Sequence, residues 1–203
     1  MTELLLTSTM EFFDCKLDDV FGEKLASMNV LCVPTAAYGE NSCEWLEGEI
    51  APFRNRVKEL RMVDIAGKSY EEILPVTKDI DIIYVTGGNT YYLLEHVRCS
   101  GFDKIVTDFL TKGGIYAGSS AGSILACPGI DFIEKMDDPA KASLDDFSGL
   151  GLVDFLIVPH VDSKEHGDAA REIISNFQNG EEIIVGLRDD QALYIQDSYM
   201  KVF

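Results

Sequence analysis

Short runs that are apolar on both faces alternate along this chain with amphipathic stretches, and that pattern leaves few folds open. Leu4-Leu5-Leu6, Val30-Leu31-Cys32-Val33, Ile82-Ile83-Tyr84-Val85, Phe155-Leu156-Ile157-Val158 and Ile183-Ile184-Val185-Gly186-Leu187 read as strands without the polar alternation of a half-exposed sheet. Met62-Val63-Asp64-Ile65 and the run from Ile115 read as two more. Between them, Leu17 to Ser27, Glu44 to Arg61, Tyr91 to Val97, Phe102 to Thr111 and Ala169 to Phe177 read as helices, with a short one around Ser69 to Leu74. In the second helix Trp45, Ile50, Phe53, Val57 and Leu60 recur at helical spacing. Pro128 to Asp146 is polar and irregular and reads as a surface loop, and Leu193 to Ile195 and Met200 to Phe203 as a closing hairpin. Strands buried on both faces and separated by helices predict the α/β class: a three-layer αβα sandwich with a doubly wound, mostly parallel sheet and a C-terminal hairpin. Without a repeat or linker in the sequence, residues 1–203 are expected to form one domain.

Charge and composition narrow the function. Seventeen Lys and Arg stand against 35 acids, for a net charge of −18. Nucleic acid needs a basic face and anionic membranes attract basic segments, so neither is expected as a partner. An acidic substrate would meet an unfavourable field and need a local Arg or Lys. Met1-Thr2-Glu3-Leu4-Leu5-Leu6-Thr7 lacks a basic segment and a long apolar stretch, and no apolar run approaches the ~20 residues of a membrane span, so a cytoplasmic protein is expected. Cys15, Cys32, Cys43, Cys99 and Cys127 show no C-x-x-C spacing and imply neither disulfides nor zinc; Cys127 reads as a small buried apolar residue.

Chemistry concentrates where strands end. Gly118-Ser119-Ser120-Ala121-Gly122 matches the G-x-S-x-G nucleophile elbow, and it stands between an apolar run and a segment able to open a helix. In a parallel sheet, sites form outside the carboxyl ends of the strands. Gly87-Gly88-Asn89, Ser120, His160 and Asp189-Asp190 all follow strands. A serine needs a base in hydrogen-bond reach and the base needs an orienting partner. Of the three histidines, His96 lies in a helix and His166 in a polar segment, which leaves His160 as the base. Asp189 or Asp190 would orient it. The Ala121 N–H and an amide of the Gly87-Gly88-Asn89 turn would bind the oxyanion, while Asn89 or Thr90 could equally cap the next helix. The order Ser, His, acid departs from the Ser, acid, His order of α/β-hydrolases.

Val85-Thr86-Gly87-Gly88-Asn89-Thr90, Gly118 to Gly122, Pro159-His160 and Gly186-Leu187-Arg188-Asp189-Asp190-Gln191-Ala192-Leu193 together resemble the peptidase E family of serine aspartyl dipeptidases, relatives of the cyanophycinases with a fold similar to class I glutamine amidotransferases. The resemblance covers most of the chain. It implies a Ser120–His160–Asp189 triad, oxyanion donors at Gly88 and Ala121, and Asn89 beside the substrate. Asp189 stands where that family usually has Glu, and an acid past the nucleophile would be Asp137 or Asp138. It further implies a serine-type dipeptidase that hydrolyses short peptides with N-terminal aspartate through an acyl-enzyme, with no cofactor and no metal, as a monomer or homodimer. Arg171, then Arg188, are the candidates for the substrate carboxylate. Alternatives are a cyanophycinase-like or other acidic-peptide hydrolase, a metal enzyme built on His160, Asp162, Glu165 and His166, or a non-catalytic binding protein on the same fold.

Overall fold

The computed structural model describes residues 2–10, 16–177, 180 and 182–203, so Cys15 lies outside the described residues. Nine strands and eight α-helices follow in chain order among them: β1 Glu3–Thr7, α1 Leu17–Phe21, β2 Asn29–Val33, α2 Thr35–Tyr38, α3 Leu46–Arg54, β3 Glu59–Met62, α4 Tyr70–Ile73, β4 Ile82–Val85, α5 Thr90–Ser100, α6 Phe102–Thr111, β5 Ile115–Ser119, α7 Ala121–Leu125, β6 Leu156–Val158, α8 Gly167–Phe177, β7 Ile184–Gly186, β8 Ala192–Gln196 and β9 Tyr199–Val202. The main sheet runs β3-β2-β4-β5-β1-β8-β9. It is parallel from β3 to β1, and β8 and β9 join antiparallel as the hairpin.

Alternation along these strands builds two cores. Leu4, Leu6, Leu31, Val33, Ile83, Val85 and Tyr116 pack with α5, α6 and α7 on one face. Leu5, Val30, Cys32, Ile82, Tyr84 and Ala117 pack with α1 and α3 on the other. Successive side chains of a strand point to opposite faces, so a strand apolar at every position requires helices on both sides. Among the described residues no helix is long and apolar enough to cross a membrane.

The structure departs from the sequence reading in four places. The helix from Leu17 breaks at Gly22, whose φ of 57° is left-handed, and Gly22–Ser27 continues as a 3₁₀ turn. The stretch from Glu44 to Arg61 is helical only over α3; its end forms β3, because β2 offers an edge to which Glu59–Met62 pair in parallel. Met62 is therefore the last residue of that strand, and Val63 to Ile65 follow it without regular structure. The 128–146 segment is irregular but not wholly on the surface, since Ile130, Phe132 and Ile133 are buried in the larger core. Finally, β6 and β7 form a separate two-stranded parallel sheet. The edge of β1 that they could have extended is already taken by β8.

Candidate active site

Three neighbouring strands of the main sheet, β4, β5 and β1, end side by side and deliver Gly87, Ser120 and Ser8 to one place. Ser120 sits between β5 and α7 with φ 48° and ψ −109°, a conformation that costs a non-glycine residue about 1–3 kcal/mol. Its surroundings enforce it. The Ser120 N–H donates to Thr7 O at 3.1 Å. A Cβ at Gly118 would fall 2.5 Å from the Gly122 carbonyl carbon, and one at Gly122 would fall 2.2 Å from Val85 O. Only glycine on both sides allows the turn to close this tightly against β4.

The small sheet supplies the partners. Its register sets Val158 against Gly186, and the ladder continues with Leu187 N–H to Val158 O at 2.9 Å and Val161 N–H to Leu187 O at 3.1 Å. His160 and Asp189 are thereby brought together just beyond it. His160 Nδ1 lies 2.6 Å from Asp189 Oδ1, and His160 Nε2 lies 2.8 Å from Ser120 Oγ. An ionised carboxylate only accepts, so the proton between His160 and Asp189 belongs to Nδ1 and the Nε2 lone pair faces the Ser120 hydroxyl. Burial works against ionisation of Asp189, yet the hydrogen bonds from His160 and Ser8 outweigh it and hold the carboxyl below its ordinary value. His160 also has a positive φ, 65°. Its N–H donates to Ser8 Oγ at 2.8 Å, and Ser8 Oγ donates to Asp189 Oδ1 at 2.8 Å. Asp190, the other acid, turns outward and pairs with Arg188 at 3.0 Å.

Gly88 has φ 127°, and a Cβ there would lie 2.2 Å from the backbone of Ala36, so the turn fits against α2 only as glycine. The Ala121 N–H is in the first turn of α7, where helix geometry leaves amides without an intrahelical acceptor. Asn89 is buried, and its side chain is spent on structure: Oδ1 accepts from Tyr92 N–H at 2.9 Å as the α5 cap, and Nδ2 donates to Asp138 O at 3.2 Å. Asp138 caps the 3₁₀ turn at Pro139. Asp137 instead lines the cavity, with Oδ2 accepting from Thr90 N–H at 2.7 Å; burial pushes its carboxyl up to about 6.

Ser120, His160 and Asp189 open into a cavity of about 530 Å³, walled further by Gly88, Trp45 and Met136 among others. Neither arginine expected to hold a substrate carboxylate lines it. Arg171 donates to Val161 O at 2.6 Å and pairs with Asp168, while Arg188 is held by Asp190. Asp162 is likewise committed, its Oδ1 accepting from Asp189 N–H at 2.9 Å. Among the described residues no group of three or more His, Cys, Asp or Glu is arranged to hold a metal ion. Cys127 is fully buried, and burial pushes its thiol up to about 12.

Two participants, Ser8 and Glu49, escaped the sequence reading, and His166 enters it only as a metal ligand. Ser8 follows β1, and the strand-end rule applied to Leu4-Leu5-Leu6 would have found it. His166 lines the cavity with its ring 5.3 Å from that of His160, and burial is the main cause that lowers its pKa. Glu49 lies beneath the elbow, accepting from Tyr84 Oη at 2.6 Å and Ser119 Oγ at 3.0 Å. Burial raises its pKa, against the pull of these bonds and of the Gly87 and Met10 amides. Nothing local in the sequence marks Glu49.

A mixed α/β fold with a serine elbow at one strand end, and an imidazole and carboxylate delivered to it from others, defines the peptidase E-like class. The chain belongs to peptidase family S51, whose family model matches residues 4–203. It is 30% identical over 197 residues to an uncharacterized peptidase of Listeria monocytogenes, covering 97% of this chain and 95% of that one. It is also 30% identical over 179 residues to the peptidase E of a Nostoc species, covering 84% and 70%. A crystal structure of a candidate peptidase E protein from Listeria monocytogenes superposes with a TM-score of 0.92 at 29% identity, covering 100% of this chain and 98% of that one.

Proposed function

We propose that this chain is a serine peptidase that hydrolyses short peptides. The observation that carries the reading is the continuous hydrogen-bonded line from Ser120 Oγ through the His160 imidazole to Asp189. In this reading His160 Nε2 accepts the Ser120 proton as Oγ attacks the peptide carbonyl carbon. The Gly88 and Ala121 amides hold the oxyanion of the tetrahedral intermediate. As the C–N bond breaks, His160 returns the proton to the leaving amine, and an ester on Ser120 remains. Water, giving its proton to the same Nε2, then attacks that ester and releases the acid, and Ser120 recovers its proton. Asp189 keeps the imidazole in the tautomer and orientation both steps use. Every group required is a side chain or amide of this chain.

The cavity's size favours a dipeptide or tripeptide over a folded protein. The N-terminal aspartate implied by the family resemblance would need a cationic partner in the cavity, and Arg171 and Arg188 are engaged elsewhere. The test is hydrolysis of a panel of dipeptides by the wild type and by Ser120→Ala. Loss of the nucleophile should lower kcat by about 10⁴-fold or more. Retention of activity by the variant would rule out the mechanism.

A further inference from the structure

The cavity over Ser120 is one-sided in charge. Among the described residues five carboxyl side chains line it, from Glu40, Glu49, Asp137, Glu165 and Asp189, and no lysine or arginine does. None of the residues outside the described set is a lysine or arginine either. Lys141 stands just outside the wall, its Nζ donating to Oδ1 of the lining residue Asn41 at 3.0 Å. The two imidazoles do not make up the deficit. His160 is engaged by Ser120 and Asp189, and His166 is held toward its neutral form chiefly by burial.

Two of the carboxyls have internal work: Asp189 aligns His160, and Glu49 receives Tyr84 and Ser119. Three are left to a ligand. Glu40 and Glu165 are exposed on the wall, and Asp137 is only partly exposed beside Thr90. A carboxylate has about four lone-pair sites, so the single amide of Thr90 does not saturate Asp137. An ammonium group entering here exchanges water for charge-assisted hydrogen bonds. A substrate carboxylate inside the cavity would instead lose water and gain like-charged neighbours, with no lysine or arginine among the described lining residues to offset either cost.

We propose, on the serine-peptidase reading above, that this cavity takes peptides whose amino-terminal residue is basic or neutral, its ammonium groups held by Glu40, Asp137 and Glu165, and that it discriminates against amino-terminal aspartate. The site thereby accepts the cationic amine end of a peptide and leaves the scissile carbonyl over Ser120.

The experiment separates binding from chemistry. Calorimetric titration of the Ser120→Ala protein uses Lys-Leu-amide, Leu-Leu-amide and Asp-Leu-amide, whose amidated ends leave only the first residue to differ in charge. The lysine and leucine peptides should bind at least tenfold more tightly than the aspartate peptide. In the same background Glu40→Gln with Glu165→Gln, both at exposed positions that do not bear on folding, should shrink that ratio severalfold. Equal or tighter binding of Asp-Leu-amide, or no binding of any of the three, overturns the proposal. Wild-type protein that binds Lys-Leu-amide and never cleaves it would sink the peptidase mechanism and leave this specificity standing. Cleavage of Asp-Leu-amide in preference to the others, lost in Ser120→Ala, would do the reverse.

Discussion

Ser8 holds His160 and Asp189, the proposed base and its carboxylate, at once, although no motif points to it. Its hydroxyl accepts from the His160 amide and donates to Asp189 Oδ1, both at 2.8 Å. One side chain at the end of β1 therefore fixes the backbone of the base and the position of the acid. Ser8→Ala would leave the His160 N–H without this acceptor, at a residue already in a positive-φ conformation. We expect kcat to fall by up to about 100-fold, the scale on which small misplacements cost rate, with KM little changed. Steady-state kinetics on any cleaved dipeptide will check this, and an unaltered kcat would mean that the imidazole and carboxylate hold each other unaided. Asp189, one methylene shorter than the glutamate usual at this place in the resemblance, nevertheless reaches His160 Nδ1 at 2.6 Å. Ser8 Oγ donates to the same oxygen and lies 3.3 Å from His160 Nδ1.

Among elements, the joint that matters is the one where α3 passes under the ends of β4 and β5. Glu49 in α3 receives Tyr84 of β4 and Ser119 of β5, and so ties the elbow to the strand that carries the Gly87-Gly88 turn. Glu49→Ala would strand the buried Ser119 hydroxyl and leave Tyr84 Oη only the longer, 3.3 Å bond to the residue 49 carbonyl. At about 1–3 kcal/mol for each unsatisfied group, stability should fall by on the order of 3 kcal/mol, measured by urea unfolding. A loss within experimental error would show that the two hydroxyls find other acceptors. This joint also shows where legibility in the sequence stops. The strand cores, the elbow, His160 and Asp189 each carry a local sign: a two-faced apolar run, a glycine pair, a polar residue just past a strand. Glu49 carries none, because its role is set by residues 35 and 70 positions away in sequence. The misplaced end of the Glu44 to Arg61 stretch has a similar origin. Val57 and Leu60 keep helical spacing and do pack on the second core, but they reach it from a turn and from β3. Apolar spacing records which residues meet the core, and an open edge on β2 decides by which backbone.

At the scale of the whole molecule, burying a carboxyl group in the cavity wall makes stability depend on pH. Burial raises Asp137 from 3.8 to about 6, so the folded protein holds this proton more tightly than the unfolded chain. The favourable contribution is complete below the unfolded value and is lost as pH rises through about 6. Asp137→Asn keeps an oxygen for the Thr90 N–H and removes the titration. Its unfolding free energy should gain on the wild type between about pH 4 and 6 and keep a constant lead above that. Urea denaturation at fixed pH values will test it, and parallel profiles would show that ionising this carboxyl costs the fold nothing. If the cavity binds amines as proposed, the same substitution exchanges ligand affinity for stability. One further consequence follows from the division into two sheets. Ser120, the proposed nucleophile, is mounted on the large sheet, and the His160 imidazole and Asp189 are mounted together just beyond the small one. They meet like the halves of a clasp. A disturbance that tilts one half opens the gap between Oγ and Nε2 while the imidazole stays matched to its acid. Work lost in this way is recoverable, since re-seating the clasp asks for no new pairing inside either half.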